Sequence, residues 1–497
     1  MKGTDMNAIQ TLTEQLGFGL EAVPTDLHIG GSWRAGSTGK RLDVFDPSSG
    51  LVIATVADAS VDDAMDAVQA AHEAGPGWAA VPPREKSEIL RRCHGLMIER
   101  KEMLAALISL ENGKALDDAR GEVVYAAEFF RWFAEEAVRL NGEIYAAPSG
   151  ANKIIVQHQP IGVAVLVTPW NFPAAMATRK IAPALAAGCT CVLKPATETP
   201  LTAFALAEIY AEAGVPAGVV NVITTGEAGP VVSAMLHDSR VRKLSFTGST
   251  EVGRALLKEA ADQVISCSME LGGNAPFIVF DDADLGLAVD GAMVAKMRNG
   301  GEACTAANRF YVQKGIAEAF TRKLAERMGA MTVGAGYDAS TQCGPMINQK
   351  AVDRMAALVG DAEERGARAL VGGKPLERDG YFFPPTVLQD VSADADISRR
   401  EIFGPIAAVA TFTSEDEVVA AANDSEFGLI AYVFTADLAR GLRVSERLES
   451  GMVGINRGVI SDPAAPFGGV KQSGLGREGA HHGMLEFCET KYIAASW

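Results

Sequence analysis

The sequence of 497 residues lacks the cysteine spacing of a disulfide-stapled protein and of a metal site. Its seven cysteines show no paired spacing, which argues against a disulfide framework and fits a reducing compartment. No C-x-x-C or H-x-x-x-H pattern occurs, so the sequence predicts no metal site.

Long apolar segments and an excess of positive charge are also missing. No uninterrupted apolar run reaches the roughly 18 residues of a membrane span, and the first ten residues, MKGTDMNAIQ, lack the apolar core of a signal peptide. The 45 basic residues face 62 acidic ones, and the net charge of −17 disfavours nucleic acid and anionic membranes as partners. We therefore expect a cytoplasmic protein that binds neither nucleic acid nor membrane.

Strand and helix patterns alternate regularly between residues 162 and 261. The dinucleotide fingerprint G-x-G-x-x-G follows none of the strands predicted there. Apolar runs such as G-V-A-V-L-V-T-P-W alternate with helical patterns of roughly 10 to 15 residues, and the second half of the chain repeats the alternation. This pattern predicts two α/β domains with doubly wound parallel sheets, which bind nucleotides at the carboxyl ends of their strands. Helical patterning from Val61 to Arg139 precedes them, with predicted breaks at Gly75-Pro76-Gly77 and at Pro82-Pro83.

A reactive cysteine is one interpretation of the segment M-R-N-G-G-E-A-C-T-A-A-N at residues 297–308. Helical patterning stops at Gly300-Gly301 and a strand pattern begins at Arg309, so we expect Cys304 on a loop that a substrate carbonyl can approach. Free cysteines are more often small buried side chains, so the position alone leaves both interpretations open.

Three predicted strands end in residues that suit a nucleotide. The sequence T-P-W-N at 168–171 follows the first strand, Lys194 ends the second, and Gly248-Ser249 precedes the helix after the fourth. A glycine before a helix N-terminus suits a pyrophosphate, and a lysine at a strand end can reach a ribose hydroxyl or a phosphate. The alternative interpretation is a capping turn and a surface lysine.

A candidate general base is Glu270, which stands between the apolar-leaning V-I-S-C-S-M and two glycines. We expect this glutamate to be half-buried, because its neighbours on one side are mostly apolar. Burial raises the pKa of a carboxyl towards the range in which it acts as a base. The alternative is a helix-capping or ion-paired glutamate.

Seven motifs taken together resemble one family. They are, in order, P-W-N-F-P, L-K-P-A, F-T-G-S-T-E-V-G, E-L-G-G, the G-x-x-C loop, E-I-F-G-P and P-F-G-G-V-K-x-S-G-L-G-R-E-G. This series resembles the aldehyde dehydrogenase superfamily from about Leu27 to Tyr492. The resemblance implies a Rossmann-like cofactor domain at residues 26–142 and 161–270 and a catalytic domain at 271–479. Residues 143–160 and 480–497 would form a small oligomerisation β-sheet, after a lead-in at 1–25.

The resemblance also implies the roles of single residues. Cys304 matches the nucleophile, whose thiolate adds to the aldehyde, and Asn171 matches the side chain that stabilises the resulting oxyanion. Glu270 matches the base that activates water to hydrolyse the thioester, while Lys180 and Glu478 match positions linked to proton handling. The positions that match cofactor-binding residues of the family are Thr168, Pro169, Trp170, Lys194, Thr197, Gly248, Ser249, Leu271, Glu401 and Phe403.

Three further residues bear on the substrate. Arg179, Arg298 and Ser461 fall in regions that line the aldehyde's access funnel in the family, and two arginines there would pair with a carboxylate at the far end of the aldehyde. This arrangement resembles the succinate-semialdehyde dehydrogenase branch, although either arginine could instead form a structural ion pair. Members of that branch often carry a second cysteine two residues after the nucleophile; here Ala306 stands there, so no local disulfide can form.

The cofactor and the exact reaction have alternatives. A neutral Thr197, where many NAD-preferring relatives have glutamate, favours NADP over NAD, whereas the neighbouring Glu198 could restore a preference for NAD. Other possible functions are oxidation of another ω-carboxylated aldehyde such as glutarate semialdehyde, acyl transfer to coenzyme A, and a structural binder without activity. The expected assembly is a homodimer or a homotetramer.

Overall fold

A computed structural model describes residue 13 and residues 19–497 of the chain. The predicted lead-in lies largely outside these residues, and its described part contains one short 3-10 helix, Leu20–Ala22. Among the described residues, no helix is long and apolar enough to cross a membrane. In the same part of the chain, no group of three or more His, Cys, Asp or Glu side chains could hold a metal ion.

Strands and helices alternate in the first half of the chain as predicted. The strands are β1 (Leu27–Ile29), β2 (Ser32–Arg34), β3 (Arg41–Asp46), β4 (Leu51–Ala57), β5 (Glu143–Ala146), β6 (Lys153–Pro160), β7 (Val163–Val167), β8 (Thr190–Lys194), β9 (Val220–Val222), β10 (Val241–Thr247) and β11 (Ser266–Glu270). The helices are α1 (Val61–Ala80), α2 (Pro83–Glu99), α3 (Lys101–Asn112), α4 (Leu116–Glu136), α5 (Pro173–Ala187), α6 (Leu201–Ala213), α7 (Ala228–Leu236) and α8 (Thr250–Ala261).

The alternation continues in the second half. The strands are β12 (Ala275–Val279), β13 (Ala307–Gln313), β14 (Arg368–Val371), β15 (Thr386–Gln389), β16 (Ile406–Phe412), β17 (Phe427–Gly428), β18 (Ile430–Phe434), β19 (Met452–Ile455), β20 (Val470–Lys471), β21 (Gly474–Leu475) and β22 (Cys488–Ala495). The helices are α9 (Leu285–Met297), α10 (Ala317–Gly329), α11 (Gln349–Glu364), α12 (Asp396–Arg399), α13 (Glu415–Asn423), α14 (Leu438–Arg447) and α15 (Ala480–Leu485).

The first sheet has the strand order β2-β1-β9-β8-β7-β10-β11-β21, and its five strands from β9 to β11 are parallel. Helices α5 and α6 pack on one face, and α1, α7 and α8 pack on the other, so these central strands are buried on both sides. That burial explains their continuous apolar sequences. The chain reverses its direction of winding between β7 and β10, and the carboxyl ends of these two strands open a crevice suited to a ligand.

The second sheet lies end to end with the first. Its order is β14-β15-β16-β13-β12-β18-β19, with every pair parallel except β14–β15. Strand β11 ends at Glu270 and β12 begins at Ala275, so the chain passes directly from one sheet into the other. The carboxyl edge of the first sheet therefore faces the amino edge of the second.

A third, antiparallel sheet has the order β22-β6-β5 and joins the two extended segments that the sequence predicts. Its strands expose large apolar side chains: Ile144 is 64% exposed, Tyr145 47% and Tyr492 60%.

The prediction of a helix break at Gly75-Pro76-Gly77 is wrong, because α1 runs through all three residues. An interior proline removes one backbone hydrogen bond. Here the next turn carries Trp78, which is only 1% exposed, and its packing into the core offsets that loss. The second predicted break is confirmed, since α1 ends at Ala80 and α2 begins with Pro83 at its first position.

A G-x-G-x-x-G spacing does occur outside the alternating region, at residues 474–479. Its first two residues form β21, which pairs antiparallel with β11 at the edge of the first sheet. The segment therefore lacks the strand–turn–helix crossover of a dinucleotide-binding unit. This pairing also attaches part of the segment predicted as catalytic domain to the first sheet; the domain boundaries themselves stay a prediction.

Candidate active site

A cavity of about 500 Å³ lies where the carboxyl edge of the first sheet faces the amino edge of the second. It brings together all but two of the residues that the sequence singles out. Those that line it are Thr168, Pro169, Trp170, Asn171, Arg179, Lys194, Thr197, Gly248, Ser249, Glu270, Leu271, Arg298, Cys304, Glu401, Phe403 and Ser461. Lys180 and Glu478 do not line the cavity; they lie behind its wall and contact Arg179 or each other.

The Cys304 loop is shaped by left-handed backbone at its start. Asn299, Gly300 and Gly301 have φ values of 56°, 59° and 79°. A Cβ atom on Gly301 would lie 2.2 Å from the carbonyl oxygen of Gly404, so only glycine fits there. The predicted loop position of Cys304 is confirmed, between the short 3-10 helix Arg298–Gly301 and β13.

The Cys304 thiol is neutral in its present surroundings. Burial raises its pKa to about 12, and the nearby Arg179 guanidinium offsets only part of that shift. A thiolate is the reactive form of cysteine. Nucleophilic attack by Cys304 at neutral pH therefore requires a base to accept its proton.

Glu270 is more deeply buried than the sequence predicts. It is 3% exposed at the end of β11, where the edge strand β21 covers it, and neither carboxyl oxygen has a hydrogen-bond partner in the described part of the chain. Burial, and next the Glu478 carboxylate, raise the pKa of Glu270 well above its usual range. A buried, unpartnered carboxyl that lines the same cavity as Cys304 has the properties of a general base.

Asn171 forms hydrogen bonds through both its side chain and its backbone. Its side-chain Nδ2 donates to the backbone carbonyl oxygen of Glu302 at 2.9 Å. Its backbone carbonyl oxygen accepts from Asn299 Nδ2 at 2.9 Å and from Lys114 Nζ at 2.7 Å. An amide nitrogen carries two hydrogens. One of the two remains available to an oxygen bound in the cavity.

A buried ion pair supports the Asn171 backbone from helix α4. Lys114 Nζ lies 2.5 Å from Glu122 Oε2, and both side chains are at most 1% exposed. The other oxygen of Glu122 accepts from the backbone N–H groups of Ala174 and Ala175 at 2.9 and 3.2 Å. Glu122 therefore provides hydrogen-bond acceptors for the free N–H groups in the first turn of α5. Lys114 holds the backbone of Asn171 in the loop before that helix.

Glu478 receives two cations from consecutive residues of α5. Lys180 Nζ lies 2.6 Å from Oε1 and also donates to Ser245 Oγ at 2.9 Å, while Arg179 Nε lies 3.1 Å from Oε2. Arg179 was predicted to bind a substrate carboxylate, and the structure adds this internal partner. Its guanidinium also lies over the Phe467 ring, 3.8 Å from the centroid.

Arg298 is the less constrained of the two predicted substrate arginines. It is half-buried, and it forms no ion pair or hydrogen bond with residues 13 and 19–497. Its guanidinium instead lies 4.9 Å from the centroid of Phe172 and 5.7 Å from that of Tyr125. An arginine that lines a cavity without an acidic partner is available to an anionic ligand.

The cofactor end of the cavity carries the residues predicted for it. Lys194 is 7% exposed, and burial lowers its pKa. Ser249 caps the 12-residue helix α8 by accepting from Val252 N at 3.4 Å. A Cβ on Gly248 would lie 2.5 Å from the Phe246 ring, which would have to move to admit any other residue. Thr197 Oγ1 donates to Glu198 Oε2 at 3.2 Å, and both residues line the cavity.

Glu401 and Phe403 close the cavity from the second sheet. Glu401 Oε1 accepts from Gly273 N at 3.1 Å, and burial raises the pKa of Glu401 to about 7. Phe403 has a φ of 54° and packs edge-on against Trp170, with ring centroids 5.4 Å apart.

Sequence reasoning missed several side chains of the wall. Phe172 and Phe467 belong to the motifs P-W-N-F-P and P-F-G-G, which could have identified them. Tyr125 and Met176 carry no motif, because they lie on α4 and α5 within ordinary helical patterns. Further lining residues that were not predicted are Ala228, Gly229, Val232 and Arg354.

Comparison with known proteins agrees with this geometry. Residues 33–493 match the model of the aldehyde dehydrogenase family. A succinate-semialdehyde dehydrogenase of Paenarthrobacter nicotinovorans is 56% identical over 442 residues, covering 89% of this chain and 98% of the relative. A glutarate-semialdehyde dehydrogenase of Pseudomonas putida is 50% identical over 469 residues, covering 94% and 97%.

Solved structures confirm the predicted fold class. The crystal structure of an NADP-dependent enzyme of E. coli superposes with a TM-score of 0.95 at 48% identity, covering 96% of this chain and 99% of the other. The prediction of an NAD(P)-dependent aldehyde dehydrogenase is confirmed at the level of the family. With a family match across most of its length and this close structural similarity, the chain belongs to the aldehyde dehydrogenase family.

Proposed function

We propose that the chain oxidises succinate semialdehyde to succinate, with NADP preferred over NAD. The observation that carries this proposal is a single cavity that joins a cysteine, a buried glutamate and two arginines. The similarity to the Paenarthrobacter and E. coli proteins supports the substrate class and the cofactor. The test is the absorbance of reduced cofactor with succinate semialdehyde, glutarate semialdehyde and an uncharged aldehyde of the same length, each with and without coenzyme A.

The outcomes separate the alternatives. A higher kcat/KM for glutarate semialdehyde would assign the chain to the activity named for its Pseudomonas putida relative. Turnover that depends on coenzyme A would indicate an acylating enzyme, which the presence of Glu270 disfavours. No turnover of any aldehyde would support a structural binder.

The first half of the reaction uses Cys304, Glu270 and Asn171. The carboxylate of Glu270 accepts the thiol proton, and the Cys304 sulfur adds to the aldehyde carbon to give a hemithioacetal oxyanion. The free hydrogen of Asn171 Nδ2 and the backbone N–H of Cys304 stabilise that oxyanion. A nicotinamide held at this cavity would supply the hydride acceptor that converts the hemithioacetal to a thioester on Cys304.

The second half hydrolyses the thioester. Glu270 takes a proton from water, and the resulting hydroxide attacks the thioester carbonyl and releases the acid from Cys304. Glu270 must give up its proton between the two halves. The Glu478 carboxylate raises the pKa of Glu270 and lies 2.6 Å from Lys180 Nζ, and we assign the Glu478–Lys180 pair to the removal of this proton from the cavity.

The first-sheet end of the cavity fits a nicotinamide dinucleotide. Lys194 is buried there without an ion pair among the described residues, and the N-terminus of α8 lies beside Gly248. Gly248 and Ser249 would hold the pyrophosphate, Lys194 the adenosine ribose or its 2′-phosphate, and Glu401 the nicotinamide ribose.

Arg298→Leu is expected to raise KM for succinate semialdehyde by about ten- to a hundredfold. A hydrogen bond to a charged group contributes roughly 1.5–3 kcal/mol, and the Arg298 side chain forms no ion pair within the described part of the chain. KM for an uncharged aldehyde of the same length should change little. Arg179→Leu should also lower kcat, because it removes a partner of Glu478.

The matched control is Arg322→Leu on α10, where the side chain is 63% exposed and far from the cavity lining. Steady-state kinetics with both aldehydes measure the effect. An equal loss for charged and uncharged aldehydes would show that Arg298 is structural and would contradict the substrate assignment.

Thr197→Glu is expected to shift the ratio of kcat/KM from NADP towards NAD by about tenfold or more, because a carboxylate repels a 2′-phosphate and accepts the ribose hydroxyls. Glu198→Gln is the matched variant, since its carboxylate already receives the Thr197 hydroxyl. The wild-type enzyme could instead strongly prefer NAD. If Thr197→Glu then leaves the cofactor preference unchanged and Glu198→Gln shifts it, Glu198 is the residue that contacts the 2′ position.

The β22-β6-β5 sheet supports a proposed homodimer or homotetramer. Its two outer strands expose apolar side chains, Ile144 and Tyr145 on β5 and Tyr492 on β22, and such surface is commonly covered in an assembly. Light scattering of the purified protein distinguishes the dimer, the tetramer and the monomer.

A further inference from the structure

Tyr125 stands between the two arginines that the proposed function assigns to the substrate. It lies on α4, lines the cavity and belongs to none of the sequence motifs. Arg179 Nη2 donates to its hydroxyl oxygen at 3.3 Å, and the Arg298 guanidinium lies 5.7 Å from the centre of its ring. One aromatic side chain thus contacts both cations.

The Tyr125 hydroxyl has an unused hydrogen. A phenol offers one donor and accepts through its oxygen. Arg179 uses the oxygen, and within the described part of the chain no acceptor receives the hydrogen. The ring itself is held in place by an edge-on contact with Phe129, with centroids 5.0 Å apart. A fixed donor therefore faces a cavity without a protein acceptor for it.

The charges around this hydroxyl favour an anion. Arg179 is partly neutralised by Glu478, whereas Arg298 forms no ion pair with residues 13 and 19–497, and the Asp118 carboxylate acts on it only from a longer distance. The tyrosine hydroxyl adds a neutral polar group beside both guanidinium groups. Three donors from Arg179, Tyr125 and Arg298 suit the two oxygens of a carboxylate, which together accept several hydrogen bonds.

We propose that Tyr125 is a specificity-determining residue, which donates its phenolic hydrogen to the terminal carboxylate of the aldehyde and orients Arg179 and Arg298 around it. This inference rests on the proposed function, because it needs a substrate that carries an anionic group. The hydroxyl oxygen orients Arg179 by accepting from it, and the ring orients Arg298 by packing against its guanidinium. The hydroxyl hydrogen forms a hydrogen bond with the substrate carboxylate.

The decisive variant is Tyr125→Phe, which keeps the ring and its contacts with Arg298 and Phe129 but removes the hydroxyl, and with it both the donor and the oxygen that accepts from Arg179. KM for succinate semialdehyde rises about tenfold or more, the range for loss of a hydrogen bond to a charged group. The kcat for that substrate and the kcat/KM for an uncharged aldehyde of the same length stay within about twofold. An equal effect on both aldehydes, or none on either, overturns the inference.

A binding measurement gives a second readout that does not require turnover. Calorimetry with succinate as the probe and butyramide as its uncharged counterpart compares the wild-type and Tyr125→Phe proteins. The variant binds succinate about tenfold more weakly and butyramide unchanged. Equal succinate affinity in both proteins contradicts donation by the hydroxyl.

Two further variants separate folding from recognition. Tyr311→Phe removes a tyrosine hydroxyl that donates to the Ala421 carbonyl, away from this cavity, and leaves both KM values unchanged. Tyr125→Leu removes the ring as well, so it disorders both arginines and raises KM for succinate semialdehyde beyond the effect of Tyr125→Phe. If KM for succinate semialdehyde is no higher in Tyr125→Leu than in Tyr125→Phe, the proposal that Tyr125 orients the arginines is refuted.

The failure of this inference is distinguishable from failure of the proposed function. If the wild-type enzyme prefers uncharged aldehydes, the substrate assignment fails and the inference fails with it. If the wild-type enzyme prefers succinate semialdehyde while Tyr125→Phe leaves its KM unchanged, only the assignment of Tyr125 is wrong.

Discussion

Cys304→Ala is expected to abolish aldehyde oxidation, with a loss of at least about 10⁴-fold in kcat, because the variant lacks the thiol that forms the covalent intermediate. Among the described residues, Cys304 is the only cysteine that lines the cavity. Cofactor binding should be retained, since the residues assigned to it lie on other loops. The absorbance of reduced cofactor measures turnover, and quenching of protein fluorescence measures cofactor binding.

The matched control for this variant is Cys267→Ser. Cys267 is half-buried on β11 and does not line the cavity, so its replacement should leave most of the activity. Turnover of Cys304→Ala within about tenfold of the wild type would eliminate Cys304 as the nucleophile. Loss of cofactor binding together with activity would indicate a collapsed site and would require a Cys304→Ser variant to separate the two effects.

The cavity lining was largely predictable because short segments with local signatures form it. Glycine pairs, a helix cap and strand ends each leave a trace in the sequence, as at Gly300-Gly301, Ser249 and Lys194. Parallel strands bring such ends to one edge of a sheet, whatever the distance between them along the chain. Local signals together with the α/β pattern were therefore sufficient to assemble most of this site.

Contacts between distant segments could not be predicted in the same way. The ion pair between Arg179 and Glu478 joins residues almost 300 positions apart, and the sequence around either residue does not predict it. Glu270 also pairs through its backbone with β21, a two-residue strand more than 200 positions later in the chain. Tyr125 reaches the cavity only because α4 packs against α5, so its place follows from tertiary packing alone.

The proline in α1 shows the same limit in a single helix. A local rule correctly assigns a cost to Pro76, but the outcome depends on the burial of Trp78 two residues later. Packing of an apolar face contributes more to the stability of a helix within a protein than propensity does. Local rules therefore predict costs, and the tertiary structure decides whether these costs are offset.

Glu270→Gln is expected to separate the two halves of the reaction. Without a carboxylate to activate water, hydrolysis of the thioester should slow by about 10²- to 10⁴-fold, the usual contribution of a general base. The thiol proton can still pass to hydroxide or buffer during the single first turnover. Rapid mixing should therefore show a burst of reduced cofactor, close to one per active site, followed by slow turnover. Glu208→Gln is the control, since that carboxyl lies on α6 away from the cavity lining.

The pH dependence of the slow phase provides a second test of the same assignment. Burial and the neighbouring Glu478 raise the pKa of Glu270, so its basic form is present only above that raised pKa. The wild-type rate of hydrolysis should therefore increase with pH through that pKa and then level off. In Glu270→Gln the plateau should be replaced by a low rate that continues to increase with the hydroxide concentration. If both phases slow equally in the variant and the plateau persists, another group is the base that activates water.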